Sequence, residues 1–290
     1  MTTPANPSPD ESTYIIDAEN AAEMARLTKQ DRLLTKAKGG LFPEQYDLSR
    51  VQRILDIACG PGGWVLDVAR MYPDTQVEGI DISNLMIEYA RYQTRVQGLN
   101  NVRFNVMNVL EPLNFPADSF DLVNARLIAT FLPTAAWPRL LQECLRITEA
   151  GGSICLSECE MPITNSPAFE KMNSLVFSAI EVSQQSFSPG RRNIGTTSVL
   201  GRLLRNAGYQ HVQQKAYAVD FSAGTEAHIS TSQDWMVVFK LMQPFLIKMG
   251  ATTQEEVDRV YQQMLAEMLS DDFCAVWYFL CIWGEKPQKI

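Results

Sequence analysis

The stretch ILDIACGPGGW, Ile54 to Trp64, begins as an apolar strand, passes through a Gly-Pro-Gly loop and runs into the first turn of a helix. A glycine turn at a strand-to-helix junction lets backbone come close to a ligand and permits positive φ. Around it the chain alternates. RILDIA, QVEGIDI, NVRFNVM, SFDLVNA and GSICLSECE read as strands. Residues 62–72, SNLMIEYARYQTRVQG and AWPRLLQECLRIT read as helices between them. Strands separated by helices imply a parallel sheet covered on both faces, with the strands' C-terminal ends gathered on one ligand-binding rim.

Beyond residue 161 the pattern changes. Residues 166–187 read as a helix, GTTSVLGRLLRNAG as a helix ended by Gly208, and HVQQKAYAVDF as a strand. Residues 226–270 read as mostly helical, with interruptions expected near Pro244 and Gly250. FCAVWYFLCIWG reads as a closing strand. Upstream, residues 18–37 read as a helix with Asp17 as N-cap and the glycines at 39–40 as its stop. The first dozen residues, rich in Pro, Ser and Thr, are expected to be disordered.

A dinucleotide fingerprint needs a third glycine where this chain has Val65, so that reading fails. A plain tight turn remains open on the loop alone. Two carboxylates sharpen the choice. Asp56 lies four residues before Gly60, and Asp81 ends the second strand, where a carboxylate can accept hydrogen bonds from both hydroxyls of a ribose. Asn108, after the third strand, offers an amide to an adenine edge.

In this order DIACGPGGW, GIDIS, NFPADSFDLV and EAGGSICLSE resemble the class I S-adenosylmethionine-dependent methyltransferases, over about residues 51–160 and the closing strand. The resemblance implies a Rossmann-like, seven-stranded, mostly parallel α/β sheet with an antiparallel closing strand, helices on both faces and a helical cover. It also implies a division into an N-terminal tail and helical cap (1–50) and a methyltransferase domain (51–290), with substrate-cover segments at about 161–195 and 222–270. By the same resemblance, Asp56 and the backbone of Ala58, Cys59, Gly60, Pro61 and Gly62 surround the methionine part of S-adenosylmethionine. Asp81 holds the ribose, Ile82 and Met86 flank the adenine, and Asn108 and the Val109 N–H bind its edge. Asn124 and Ala125, past the fourth strand, line the sulfonium end. Asn108 stands where the family usually has an aspartate, which drops a charge; TEAGG replaces a common lysine-proline turn.

YIIDAENAAEMARLTKQ, GGLFP and NARL look like the fungal secondary-metabolism methyltransferase-like regulators and their bacterial relatives, in which an N-terminal Arg-Leu-x-x-Gln helix covers the cleft. Tyr14, Arg26, Gln30 and Arg126 match that pattern. It leaves two readings. One is an enzyme that methylates a small, hydrophobic or aromatic metabolite by SN2 displacement, releasing S-adenosylhomocysteine. The other is a cofactor-binding regulator without methyl transfer. The candidate catalytic residues are Glu158 at the end of the fifth strand, His228 in the cover, Tyr14 and Arg126. His211 reads as structural. Phe169, Met172, Phe177, Phe187, Trp235, Met236, Phe239, Met242, Phe245 and Met249 supply an apolar cover suited to core packing or an adaptable pocket.

The 290 residues, 46% hydrophobic and 20% charged, suit a globular chain with a sizeable core. A formal net charge of -8 and a pI near 4.9 argue against nucleic acid or an anionic membrane as partner. Six cysteines without a CxxC pair imply free thiols in a reducing compartment, and two histidines argue against zinc. Without a signal pattern or a span-length apolar run, the expectation is a cytoplasmic monomer or homodimer.

Overall fold

The computed structural model describes residues 13–43 and 51–288; the expected disorder of the first dozen residues lies outside them. Helix α1 (Ala21–Lys38) is capped by Asn20, whose side chain accepts from the Ala22 and Glu23 N–H groups, and not by Asp17. Asp17 instead accepts from the Glu19 N–H. Gly39, at φ 77°, ends α1 in the left-handed conformation that glycine adopts without strain.

Five strands and three helices follow, with no α-helix between β3 and β4: β1 (Arg53–Ile57), α2 (Gly63–Met71), β2 (Gln76–Asp81), α3 (Asn84–Val96), β3 (Val102–Val106), β4 (Phe120–Arg126), α4 (Trp137–Ile147) and β5 (Thr148–Cys159). Ser83 caps α3 by accepting from the Met86 N–H. Ile54 packs with Trp64, Val65 and Ile87 on one face of the sheet, and Leu55 with Val123, Leu141 and Ile147 on the other. That alternation follows from the two-residue period of a strand buried on both sides.

The remainder adds β6 (Ile163–Thr164), α5 (Pro167–Val182), α6 (Thr196–Ala207), β7 (Gln210–Asp220), α7 (His228–Lys248), α8 (Gln254–Met268) and β8 (Ala275–Glu285). The order is β3-β2-β1-β4-β5-β8-β6, with β7 also paired to β8. β8 runs antiparallel between β5 and β7, while the β1–β5 pairings are parallel. Among the described residues the sheet has eight strands, not seven. The extra one is the two-residue β6, which pairs with Ala275 and Val276 beyond the end of the β5 ladder. α7 continues through Pro244, because Met242, Gln243 and Leu246 are buried and tertiary packing outweighs the proline. The expected break falls at Gly250 alone.

Candidate functional site

The strand order reverses between β1 and β4, and a cavity of about 200 Å³ runs along the C-terminal rim at that point. One water needs roughly 10–15 Å³, so this is a ligand-sized space and not a packing defect. Its wall follows the sheet. Ala58–Pro61 come from the loop after β1 and Gly63 from the start of α2, Asp81–Ser83 from the end of β2, Met107–Leu110 after β3, Arg126–Leu127 and Ala129–Phe131 at and after β4, and Cys159 and Met161 at and after the end of β5. Helix α1 roofs it with Arg26, Leu27, Gln30, Asp31 and Leu34. α5 and α7 contribute Val176, Ile180, Trp235, Val238 and Met242.

The glycine loop is held by Asp81. One carboxylate oxygen accepts from the Gly60 N–H and the other from the Ser83 N–H, each at 2.9 Å. Burial pushes its pKa up, against these hydrogen bonds. Gly60, at φ 53°, leaves room on the cavity side, since a Cβ there would meet only the Leu27 Cδ1 at 3.6 Å. Gly62 has another cause: at φ 79° its Cβ would strike Phe104 at 2.6 Å and Ala90 at 2.9 Å. It serves packing of the loop onto α3 and β3 and does not line the cavity. Asn108 Oδ1 accepts from its own Leu110 N–H at 3.0 Å, a local turn that orients the amide in the cavity wall.

Of the residues expected at the cofactor, Ala58, Cys59, Gly60, Pro61, Asp81, Ile82, Met86, Asn108 and Val109 line the cavity, as do Tyr14 and Arg126. Asp56, Gly62, Asn124 and Ala125 do not. β4 extends to Arg126, so Asn124 and Ala125 are buried within the strand and not past it. Asn124 donates across the sheet to Asp56 at 2.7 Å, in direct register. Burial raises the Asp56 carboxyl to about 6, with Arg126 and Asn124 working the other way. The charged wall at this point is therefore Arg126, and Asp56 lies outside the cavity lining.

Two catalytic candidates are displaced as well. The pleat of β5 puts Cys159 in the cavity wall and turns Glu158 away. Glu158 is buried and accepts from the Ile128 N–H at 2.8 Å and the Ala129 N–H at 3.3 Å, anchoring the 3-10 turn after β4. His228 opens α7, stacks on Phe273 and contacts the Met268 carbonyl at 3.0 Å, away from the cavity. Of the ten apolar cover residues, Trp235 and Met242 line the cavity; Phe169, Met172 and Phe239 are core.

Burial pushes the Glu158 carboxyl up to about 8 from an ordinary 4.5. The folded chain keeps a proton that the unfolded chain releases, so this group makes stability fall as pH rises from about 4.5 to 8 and level off above. Glu158→Gln should lose less stability than the wild type between about pH 5.5 and 8.5. Urea melts at both pH values check this; parallel losses in the two proteins would refute it.

Arg26 donates to Glu23 at 2.7 and 2.6 Å and to Asp234 Oδ1 at 3.1 Å, and Gln30 donates to Asp234 Oδ2 at 3.2 Å. The Arg-Leu-x-x-Gln element thus ties the roof helix to α7. The Tyr14 hydroxyl donates to Glu23 at 2.6 Å, and burial pushes its pKa well up. Arg126 donates to Asp31 at 2.6 Å and lies 5.7 Å from the Trp64 ring centroid. Asp31 and Asp234 escaped the sequence reading, although both flank residues it singled out.

Comparison with known families matches residues 54–152 to the methyltransferase domain. Residues 54–152 belong to a class I S-adenosylmethionine-dependent methyltransferase domain. Methyltransferase str2 of Strobilurus tenacellus is 30% identical over 154 residues, 53% of this chain and 51% of that one. The chain therefore spans about half the length of str2. The demethylmenaquinone methyltransferase of Geobacillus kaustophilus is 26% identical over 61% of this chain and 79% of its own. The solved phosphoethanolamine N-methyltransferase 2 of Haemonchus contortus shares the fold at TM-score 0.55 and 17% identity, covering 94% of this chain and 60% of that one.

The cofactor of such a domain is S-adenosylmethionine, and the residues present fit it. Asp81 has acceptor capacity left on a half-buried carboxylate, Ile82 and Met86 give an apolar slot, and Gly60 opens the loop toward the cavity.

Proposed function

We propose that this chain transfers a methyl group from S-adenosylmethionine to a small hydrophobic or aromatic acceptor. When bound, the cofactor supplies a methyl activated by its sulfonium. The observation that carries the reading is the continuity of the cavity. The charged side chains lie on α1 and at the ends of β2 and β4, and the apolar lobe is walled by Met161 after β5, Val176 and Ile180 of α5, Val238 and Met242 of α7 and Trp277 of β8. Apolar walls with few polar groups suit a small hydrophobic ligand. A demethylmenaquinone methyltransferase among the relatives agrees with this class of acceptor.

The chain's own residues position and exclude water more than they move protons. In the apolar lobe the titratable side chain is Cys159, whose thiol burial and the nearby Glu158 and Glu160 push far up. It stays protonated at neutral pH, as does the Tyr14 hydroxyl. This favours acceptors that ionise readily or present a neutral amine, so that placement supplies the rate.

A regulator without methyl transfer calls for a filled acceptor lobe; the open apolar lobe supports transfer instead. Acceptors should be screened for the mass of an added methyl group and for accumulating S-adenosylhomocysteine. Val238→Trp, which adds bulk to the wall, should cut turnover at least about 10-fold and leave S-adenosylhomocysteine binding intact. Turnover that survives the plug would mean the acceptor binds elsewhere. Absence of turnover over a broad panel, with binding retained, would favour the regulator.

A further inference from the structure

Asp56 does not line the cavity, so the charged amino-acid end of the cofactor meets other groups. Of the four charged side chains in the cavity wall, Asp81 is held by the Gly60 and Ser83 N–H groups and Arg26 by Glu23 and Asp234; the other two are Asp31 from α1 and Arg126 at the end of β4. We propose that these two form the subsite for that end, Asp31 taking the α-ammonium and Arg126 the α-carboxylate. The inference rests on the cofactor reading above.

Three observations carry it. The first is the lie of the roof helix along the loop. Leu27 faces Gly60, and one turn later Asp31 Oδ2 sits where a Cβ on Gly63 would come within 2.4 Å. Gly63 is glycine so that this carboxylate can lie against the loop. The second is hydrogen bonding that the chain leaves incomplete. Arg126 spends one nitrogen on Asp31 at 2.6 Å, while its Nε is buried with no acceptor among the described residues. A buried charged donor without a partner is costly, and a ligand carboxylate beside the guanidinium supplies one after a small side-chain adjustment. The third is charge balance. Asp31 and Arg126 are buried to about nine-tenths as an ion pair. A zwitterion docked beside an ion pair alternates four charges and adds no net charge to a dry site, which limits the desolvation cost.

A purely structural pair would pin α1 to β4 and nothing more. Calorimetry with two probes separates the roles. S-adenosylhomocysteine carries the amino-acid end, and methylthioadenosine keeps the adenosine and the thioether without it. The wild type should bind S-adenosylhomocysteine at least about 100-fold tighter than methylthioadenosine. In Asp31→Asn and in Arg126→Met that preference should shrink by about 10-fold or more, with methylthioadenosine affinity changed by less than about 2-fold. A decarboxylated homocysteine analogue should bind Arg126→Met as it binds the wild type, yet lose affinity for Asp31→Asn.

Equal loss of both probes in the variants, or an unchanged preference, would overturn the proposal and leave the pair a brace for α1. Should the variants fail to fold, the wild type still decides: equal affinity for the two probes overturns the subsite. A wild type that binds neither probe would instead overturn the cofactor reading itself.

Discussion

Asp81→Ala should lower affinity for S-adenosylhomocysteine by about 100- to 10,000-fold and lower it for methylthioadenosine alike. The ribose hydroxyls would donate to a half-buried carboxylate, and hydrogen bonds to charged groups are worth about 1.5–3 kcal/mol each. Two of them give roughly 3–6 kcal/mol, which sets the range. The same carboxylate also holds the site in shape. Without it the Gly60 and Ser83 N–H groups lose their acceptor, so the glycine loop and the start of α3 both slacken. Asp81→Asn keeps one acceptor oxygen and should fall between the wild type and alanine. Calorimetry beside circular dichroism reads both effects. An alanine variant that binds both probes like the wild type would remove Asp81 from the ribose subsite.

The rim was legible because it is local. Each loop after β1, β2 and β3 follows a strand whose apolar run is unmistakable, and Asp81, Ile82 and Asn108 stand at fixed distances from those ends. What failed was facing. Asp56, Asn124 and Glu158 lie on the strands that were expected, but spacing along a strand does not say which carboxylate a neighbour will consume. Asp56 is taken by Asn124 from β4, and Glu158 by two backbone N–H groups after it. Gly62 matched the motif, yet Phe104 and Ala90 require it rather than a ligand. The roof was half legible. Arg26 and Gln30 stood out by pattern, but their partner Asp234 lies 208 and 204 residues away, and no local signal marks it. His228 drew notice as a rare residue type, and rarity carries no geometry.

Arg26→Ala should cost about 3–5 kcal/mol of stability near neutral pH, the range for removing one partner of a buried ion pair. Glu23, Arg26 and Asp234 are all buried, so the variant strands two carboxylates that solvent cannot reach. At about 2–4 °C per kcal/mol, the melting temperature should drop by roughly 6–20 °C. Hydrogen exchange should locate the loss first in α1, because the roof helix is joined to α7 through this cluster while the sheet keeps its own core. The sign of the pH dependence is fixed by Asp234. Burial already raises its pKa, and Arg26 is the main opposing influence. Without the guanidinium the folded carboxyl rises further above its unfolded value of about 4. The variant's deficit therefore widens as pH climbs above that value and narrows on return to it. S-adenosylhomocysteine affinity should fall as well, since Leu27, Gln30 and Asp31 reach the cavity only while α1 stays seated. Thermal melts at about pH 5 and 8 test the electrostatic account. A deficit of the same size at both would mean that Arg26 acts through packing of its stem, and a melting temperature equal to the wild type's would show that the cluster does not hold the roof.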